Sequence, residues 1–167
     1  IGLMPTGSED PFALRRQALG IIAIMLDIGI NVPLQDLVDE AVRIVSHGER
    51  FDAVKEHILQ FLENRVETVF SDLGYSPDLI HSILAASLHF PLHDIRERLD
   101  ALKRFKGHPV YPDFLTAIKR VNNIIPKTPM IPVRAELLLE EQERSLKAKL
   151  DSLGSELAGL LKERRYH

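Results

Sequence analysis

The residues best suited to binding a metal are the histidines, of which the 167-residue chain has seven. His89 and His93 are four positions apart, but Pro91 stands between them, so we do not expect them to share one helix face. His93-Asp94 has the composition of the dipeptide that holds ions in metal-dependent phosphohydrolases, yet that chemistry requires further ligands on separate helices. A carboxylate such as Asp94 more simply stabilises the first turn of a helix. We therefore predict no metal site.

Nothing in the sequence has the pattern of a phosphate-binding loop or of an activated nucleophile. Gly2, Gly7 and Ser8 come nearest to a phosphate loop, but no strand pattern precedes them and no Gly-Lys-Ser/Thr follows. The absence of cysteine excludes a thiol nucleophile, a cysteine zinc site and a disulfide framework within this chain. We predict no catalytic residue and no bound cofactor in this chain.

Two short basic clusters remain as candidates for binding. They are Lys103, Arg104 and Lys106 at the end of the fifth predicted helix, and Lys119-Arg120 with Asn123 on the sixth. Cations beside amides suit contact with nucleic-acid phosphates and base edges. Lys and Arg near a helix C-terminus also offset the helix dipole and solvate the surface, so both interpretations stay open.

The charge of the chain is unevenly distributed. Its formal net charge is −3, with 45% hydrophobic and 27% charged residues, which is ordinary for a globular protein. Residues 1–100 contain 8 basic and 16 acidic side chains, whereas residues 101–167 contain 13 basic and 8 acidic ones. An acidic half avoids phosphate and a basic half tolerates it, although solvated helix faces also drift in charge. Aromatic residues make up only 6% and Trp is absent, so base stacking is not an obvious mode of action.

The apolar runs and the two ends of the chain indicate where the protein is located in the cell and whether it is part of a longer chain. No apolar run reaches the roughly 20 residues that a bilayer span requires, and no signal peptide opens the chain. The lack of cysteine fits a reducing cytosol, so we expect a cytoplasmic protein without membrane contact. The chain begins at Ile1 and ends inside a helical pattern, from which we expect a piece of a longer protein.

The fold class predicted from apolar periodicity is all-α, because apolar residues recur at helical spacing and no segment alternates with period two. We expect a bundle of about six helices followed by a long C-terminal helix or a helical hairpin. The predicted helices cover about 11–26, 34–45, 52–73, 77–84, 91–106, 112–125 and 134–165. Asp10 is the predicted N-cap of the first helix, with Pro11 at its first position.

Two apolar patterns fall in the second half of the chain. On the sixth helix Phe114, Ile118, Val121 and Ile125 are expected to face inward. On the last helix the leucines at 139, 146, 150, 153, 157 and 160 form a heptad-like seam. Gly154 and Gly159 weaken that seam, which favours a helical hairpin or a packed long helix over a free coiled coil.

Proline content suggests the domain organisation. Residues 126–133 (PKTPMIPV) hold three prolines and are predicted to be a linker. We expect a helical domain over 1–125 and the beginning of a second helical region, truncated, over 134–167.

A long string in the opening segment resembles a known family. Gly2, residues 5–8, residues 10–16 and residues 18–21 match the pattern G-x-x-PTGS-x-DPFALRR-x-ALGI. This pattern resembles a stretch of the β subunit of bacterial-type glycyl-tRNA synthetases that follows the HD-like domain. Lys119-Arg120-Val121 with Asn123-Ile124 is similar to the family's later K-R-V-x-N-I signature. The segment from Ala135 resembles the start of its anticodon-binding helices.

The resemblance implies a partner rather than a reaction for this chain. In that family the α subunit carries the catalytic site and uses ATP to activate glycine, the β subunit binds tRNA(Gly), and the assembly is an α2β2 heterotetramer. The resemblance therefore implies a non-catalytic, tRNA-binding segment that is inactive alone. The six residues of the two clusters named above remain our candidates for its RNA contacts. Arg15 and Arg16, inside the matched string, either touch RNA or serve a structural role, and the structural role is favoured.

Two other function classes stay open. A helical scaffold would use the acidic half and the leucine seam to bind protein, with no RNA contact. A metal phosphohydrolase is the third class, and it depends on the His93-Asp94 pair having further ligands.

Overall fold

The fold is built entirely from helices over the residues that the computed structural model describes, which are Asp10 and residues 12–46, 52–87, 89–125 and 134–163. The helices are α1 (Leu14–Ile28), α2 (Leu34–Ser46), α3 (Asp52–Asp72), α4 (Pro77–Ser87), α5 (Leu92–Lys106), α6 (Tyr111–Ile124) and α7 (Glu141–Lys162), with a 3-10 turn at Ala135–Leu137. Across these ranges the only extended pairing is an isolated bridge between Pro33 and Pro91. The predicted all-α fold is confirmed. None of these helices combines the length and hydrophobicity that crossing a membrane requires.

The start of α1 differs from the prediction. The helix begins at Leu14 rather than near residue 11, after Ala13 adopts a left-handed conformation with φ 54°. The Asp10 carboxylate still caps the helix, because its Oδ2 accepts a 3.1 Å hydrogen bond from the backbone N–H of Arg15. A turn therefore separates the capping residue from the first helical residue. The Ala13 N–H closes this turn by donating to the Asp10 carbonyl at 3.0 Å. The predicted position of Pro11 lies outside the described residues.

The last helix is shorter than predicted and continuous. It begins at Glu141, where the Glu140 side chain accepts from the backbone of Glu143 and the Glu143 side chain accepts from the backbone of Glu140. This reciprocal capping box fixes the N-terminus of α7 about seven residues after the predicted one. Gly154 and Gly159 do not break the helix, so the described residues contain the long helix and not the hairpin.

The chain divides into two compact units, Ile1–Arg104 and Phe105–His167. In the first unit α3 contacts α1, α2 and α4, and the N-terminal part of α5 contributes to the same core. The core consists of Ala18, Ile22, Met25, Leu34, Val38, Leu62, Val66, Phe70, Tyr75, Leu79, Ile80, Leu84, Leu92, Ile95 and Leu99. Most of these residues recur at helical spacing on α1 to α5. The first helix is apolar around most of its axis, which predicts burial on most sides, but Ile21 and Ile24 are 47% and 55% exposed, so that prediction is wrong and α1 buries one face only.

The second unit lacks a comparable core in its described part. No residue of α6 or α7 is fully buried. The predicted inward stripe Phe114, Ile118, Val121 and Ile125 is 40–54% exposed, so its expected burial is wrong for the described chain. Apolar spacing identifies the face of a helix that favours burial, but it does not supply the surface against which that face packs.

The predicted division of the chain at residues 126–133 stays a prediction. The proline-rich linker and residues 164–165 of the predicted last helix lie outside the described residues.

Candidate nucleic-acid interface

The His93-Asp94 pair makes separate contacts within α5. Asp94 is buried, and its Oδ2 accepts a 2.9 Å hydrogen bond from Nε of Arg98, whose guanidinium carbon lies 4.0 Å from the centre of the Phe90 ring. His93 instead lies beside Glu97, with Nε2 and Oε1 3.4 Å apart. Nowhere in the described ranges do three or more His, Asp or Glu side chains converge as metal ligands would. Asp94 therefore has a structural role, because it holds the Arg98 guanidinium that packs on Phe90 in the preceding loop.

Lys103 is anchored to the protein. Its ammonium donates a 3.3 Å hydrogen bond to the carbonyl of Gly74 and lies 5.2 Å from the centre of the Tyr75 ring. The hydroxyl of Tyr75 in turn donates to Oδ1 of Asp100 at 2.6 Å. These contacts fasten α5 to the turn that follows α3, where Gly74 has φ 84° and the Tyr75 N–H bonds the Phe70 carbonyl at 3.1 Å. Lys103 is thus partly occupied with holding the fold.

The other two basic residues of that cluster, Arg104 and Lys106, are exposed at the end of α5. Both stand in the last turn of the helix, where positive side chains offset the negative end of the helix dipole. Stabilisation of the helix dipole therefore accounts for the positive charge of this cluster. No ligand is required to explain why basic residues stand at these positions.

An aromatic corner sets the start of α6. The Phe105 ring meets Tyr111 edge-on at 5.4 Å and Phe114 edge-on at 5.0 Å, and the ring of His108 stacks against it at 6.5 Å. Edge-to-face pairs at these separations are favourable beyond the area they bury. The corner therefore fixes how α6 leaves the end of α5 within the second unit, and with it the direction of the α6 side chains.

The face of α6 opposite its apolar stripe is polar and basic. It is formed by Thr116, Lys119, Arg120 and Asn123, all of which are exposed. Helical geometry places Asn123 almost directly opposite the stripe, with Lys119 and Arg120 on either side of it. The structure thus brings three of the predicted RNA-binding residues together on one face.

The position of Lys119 and Arg120 along α6 distinguishes nucleic-acid contact from stabilisation of the helix dipole. The last turn of α6 contains no basic residue, because Lys119 and Arg120 come before it. The helix dipole acts mainly within the terminal turn, so it explains this pair less well than the α5 cluster. Two cations flanking an amide on an exposed face can contact phosphate oxygens and a base edge together.

Arg15 and Arg16 lie in the first turns of α1, in the other unit. The backbone N–H of Arg15 is held by Asp10, and the Arg15 side chain is half-buried, whereas Arg16 is exposed. The Asp10–Arg15 bond gives the Asp-Pro-Phe-Ala-Leu-Arg segment a structural function at the helix start.

Two features of this region were not predicted from the sequence. The Tyr75–Asp100 bond joins positions 25 apart, and no short motif announces such a contact. The sequence does indicate the aromatic corner, since Phe105, His108, Tyr111 and Phe114 fall within ten residues of one another. The low aromatic content of the whole chain does not reveal this local concentration.

Comparison with known proteins gives consistent matches. Residues 1–85 match the model of the family described as "Glycyl-tRNA synthetase beta subunit". Glycine--tRNA ligase beta subunits of Acidithiobacillus ferrooxidans and Clostridioides difficile are 35% and 33% identical to the chain, each over 99% of its length. That of Syntrophomonas wolfei is 35% identical over 94% of the chain. The matched regions are 25%, 24% and 23% of those relatives, so the chain spans about a quarter of their length.

Proposed function

The chain belongs to the glycyl-tRNA synthetase β-subunit family, and from that premise we propose that it is a non-catalytic, tRNA-binding segment of such a subunit. Its role is to support the ATP-dependent ligation of glycine to tRNA(Gly). Its partners are tRNA(Gly) and the α subunit, which uses the ATP, within an α2β2 enzyme of the cytoplasm.

The observation that carries the RNA contact is the exposed polar face of α6. Lys119 and Arg120 flank Asn123 there, outside the terminal turn in which the helix dipole would explain them. Two cations at this spacing reach neighbouring phosphates of one strand, and the amide between them has both a donor and an acceptor for a base edge. In this proposal Arg104 and Lys106 add electrostatic attraction, and Lys103 is the least available of the six.

Titration of labelled tRNA(Gly) with the chain at several salt concentrations tests the proposal. Contacts to phosphate release counterions, so the logarithm of the binding constant falls steeply as the logarithm of the salt concentration rises. A chain that binds tRNA(Gly) no better than an unrelated acidic protein, or whose weak binding ignores salt, contradicts it.

The non-catalytic part of the proposal has its own test. The relevant assay is glycine-dependent exchange of pyrophosphate into ATP, because it reports amino-acid activation without requiring tRNA. We expect no exchange above a vector control, since the sequence has neither a phosphate-binding loop nor a catalytic constellation. Exchange by the purified chain would refute the assignment of catalysis to another subunit.

A second candidate function rests on α7, whose leucine seam is exposed along the helix. An apolar seam of this kind favours a scaffold or protein-interaction role, which needs no RNA. The two functions use different helices, so substitutions on α6 and α7 separate them.

A further inference from the structure

The hydroxyl of Thr116 on α6 is engaged as a donor and open as an acceptor. Its Oγ1 donates a 2.9 Å hydrogen bond to the carbonyl oxygen of Pro112, four residues earlier on the same helix. A threonine hydroxyl has one proton to donate and two lone pairs with which to accept. The bond to Pro112 uses the proton, whereas the lone pairs stay accessible because the side chain is exposed. With this bond in place, Thr116 can accept a hydrogen bond from a ligand and cannot donate one.

The surroundings of Thr116 favour a nucleic acid as that ligand. Lys119 and Arg120 follow three and four residues later, so they flank Thr116 on either side about one turn, roughly 5 Å, further along the helix. Within the described ranges neither cation has an ion-pair or hydrogen-bond partner. The apolar stripe lies on the opposite side of α6, so a protein that packs on the stripe leaves this face uncovered. The two cations therefore attract a phosphate backbone to the face on which Thr116 accepts.

Few groups near the phosphates of a nucleic acid can donate to Thr116. The phosphate oxygens that Lys119 and Arg120 neutralise are themselves acceptors, so they cannot bond an oxygen that only accepts. The ribose 2′-hydroxyl carries a proton, lies next to the phosphates of its own strand and is displayed in the wide minor groove of an RNA helix. Every RNA nucleotide has this group and DNA lacks it. An acceptor between two phosphate-binding cations thus matches a 2′-hydroxyl.

We propose that Thr116 is a further contact of α6 with tRNA, in which its Oγ1 accepts a hydrogen bond from a ribose 2′-hydroxyl while Lys119 and Arg120 bind neighbouring phosphates. This inference rests on the proposed tRNA-binding function and adds to it a group that recognises ribose. The two cations provide affinity for any phosphate backbone. Thr116 provides a preference for ribose over deoxyribose, which neither cation gives.

Comparison of RNA with DNA tests the proposal. The full 167-residue chain and its variants are titrated into labelled tRNA(Gly) and into labelled DNA of the same nucleotide sequence. Thr116→Val keeps the shape of the side chain and removes the hydroxyl. We expect it to weaken binding of tRNA(Gly) roughly two- to tenfold, the range that one neutral hydrogen bond covers, and to leave binding of the DNA unaltered. The salt dependence of tRNA binding should not change, since a hydroxyl releases no counterion.

Thr68→Val is the matched control, because Thr68 of α3 is also exposed and donates in the same way to the carbonyl of Asn64, at 2.8 Å. It makes the same chemical change in the first unit and should leave the affinities for both ligands unaltered. Thr116→Ser retains the hydroxyl and should retain the preference of the parent for RNA. Circular dichroism of each variant verifies that the helices are intact.

The outcomes separate this inference from the function on which it rests. A parent chain that does not bind tRNA(Gly) in a salt-dependent manner refutes the tRNA-binding function, and the 2′-hydroxyl contact with it. If the parent binds tRNA(Gly) as expected but T116V weakens RNA and DNA binding equally, or weakens neither, the tRNA-binding function stands and the 2′-hydroxyl contact is overturned. The same conclusion follows if T116S loses the preference for RNA to the same extent as T116V.

Discussion

The hydroxyl of Tyr75 donates a 2.6 Å hydrogen bond to Oδ1 of Asp100, which joins the turn after α3 to the middle of α5. The tyrosine ring is buried and meets Phe70 edge-on at 5.8 Å. Burial raises the pKa of Tyr75, the bond to Asp100 raises it further, and Arg96 opposes the rise. The same ring lies beneath the ammonium of Lys103. One tyrosine therefore links the turn after α3 to Asp100 of α5 and contacts Lys103 of the α5 basic cluster.

Replacing Tyr75 with Phe keeps the ring and removes this bond, and we expect the free energy of unfolding at neutral pH to fall by about 1 kcal/mol. The folded-state pKa lies above the ordinary value of 10.0, so the stabilisation is complete below pH 10. It is lost as the pH rises through the folded-state pKa. Urea unfolding of parent and variant from neutral to alkaline pH should show two curves that converge above pH 10.

Tyr111→Phe is the control for that experiment, since it makes the same change in a tyrosine of the aromatic corner. It measures what the loss of a tyrosine hydroxyl does to stability where the bond to Asp100 is not involved. A constant gap between parent and Y75F at every pH would show that the Tyr75 hydroxyl does not titrate as its surroundings require.

The first unit could be predicted from the sequence because each of its helices finds a partner along the apolar face that its spacing marks. Ile22, Val66 and Leu99 all occupy such positions, and all are fully buried. The same rule placed Ile118 inside, and it is 40% exposed, because spacing alone does not reveal whether an opposing surface is present. The start of α7 escaped prediction for a chemical reason: its capping box uses Glu140 where Ser or Thr is usual.

Core truncations should separate the two units energetically. Ile22→Ala should lower the free energy of unfolding by about 2–5 kcal/mol, because Ile22 is fully buried and its removal leaves a cavity. Leu157→Ala should change it by no more than about 0.5 kcal/mol at a protein concentration at which the chain is monomeric. Urea unfolding followed by circular dichroism measures both. Equal losses for the two variants would mean that Leu157 is packed within the monomer.

The Asp10 cap should also have a measurable contribution. Asp10→Ala removes the acceptor of the Arg15 N–H, and we expect a loss of about 1 kcal/mol in unfolding free energy. Asp27→Ala makes the same change at an exposed site near the other end of α1 and should have little effect. If the two variants unfold at the same urea concentration, the Asp10–Arg15 hydrogen bond contributes nothing to stability. Helix capping would then not account for the match of residues 10–16 to the family pattern.

The contact between α6 and tRNA is tested by removing its two cations. The double variant K119A/R120A should weaken binding of tRNA(Gly) at low salt, because it removes the groups that neutralise phosphate. It should also flatten the dependence of binding on salt, by up to about 0.9 in log–log slope for each duplex phosphate that is no longer neutralised. Asn123→Ala should leave that slope unchanged, since a neutral amide releases no counterion. It should reduce discrimination between tRNA(Gly) and other tRNAs if the amide contacts a base edge.

The control for the double variant is R43A/K55A, which removes one Arg and one Lys from the first unit and so alters the net charge equally. Arg43 is paired with Glu40 on α2, and Lys55 of α3 is paired with Asp39, so both cations are already engaged within the protein. We expect this control to lower affinity slightly through net charge alone while the salt slope stays near that of the parent. If K119A/R120A behaves the same way, Lys119 and Arg120 only contribute to the overall charge, and α6 belongs to the scaffold. A larger decrease of slope in K119A/R120A than in the control places bound phosphates at α6 itself, because the two variants differ in position and not in charge.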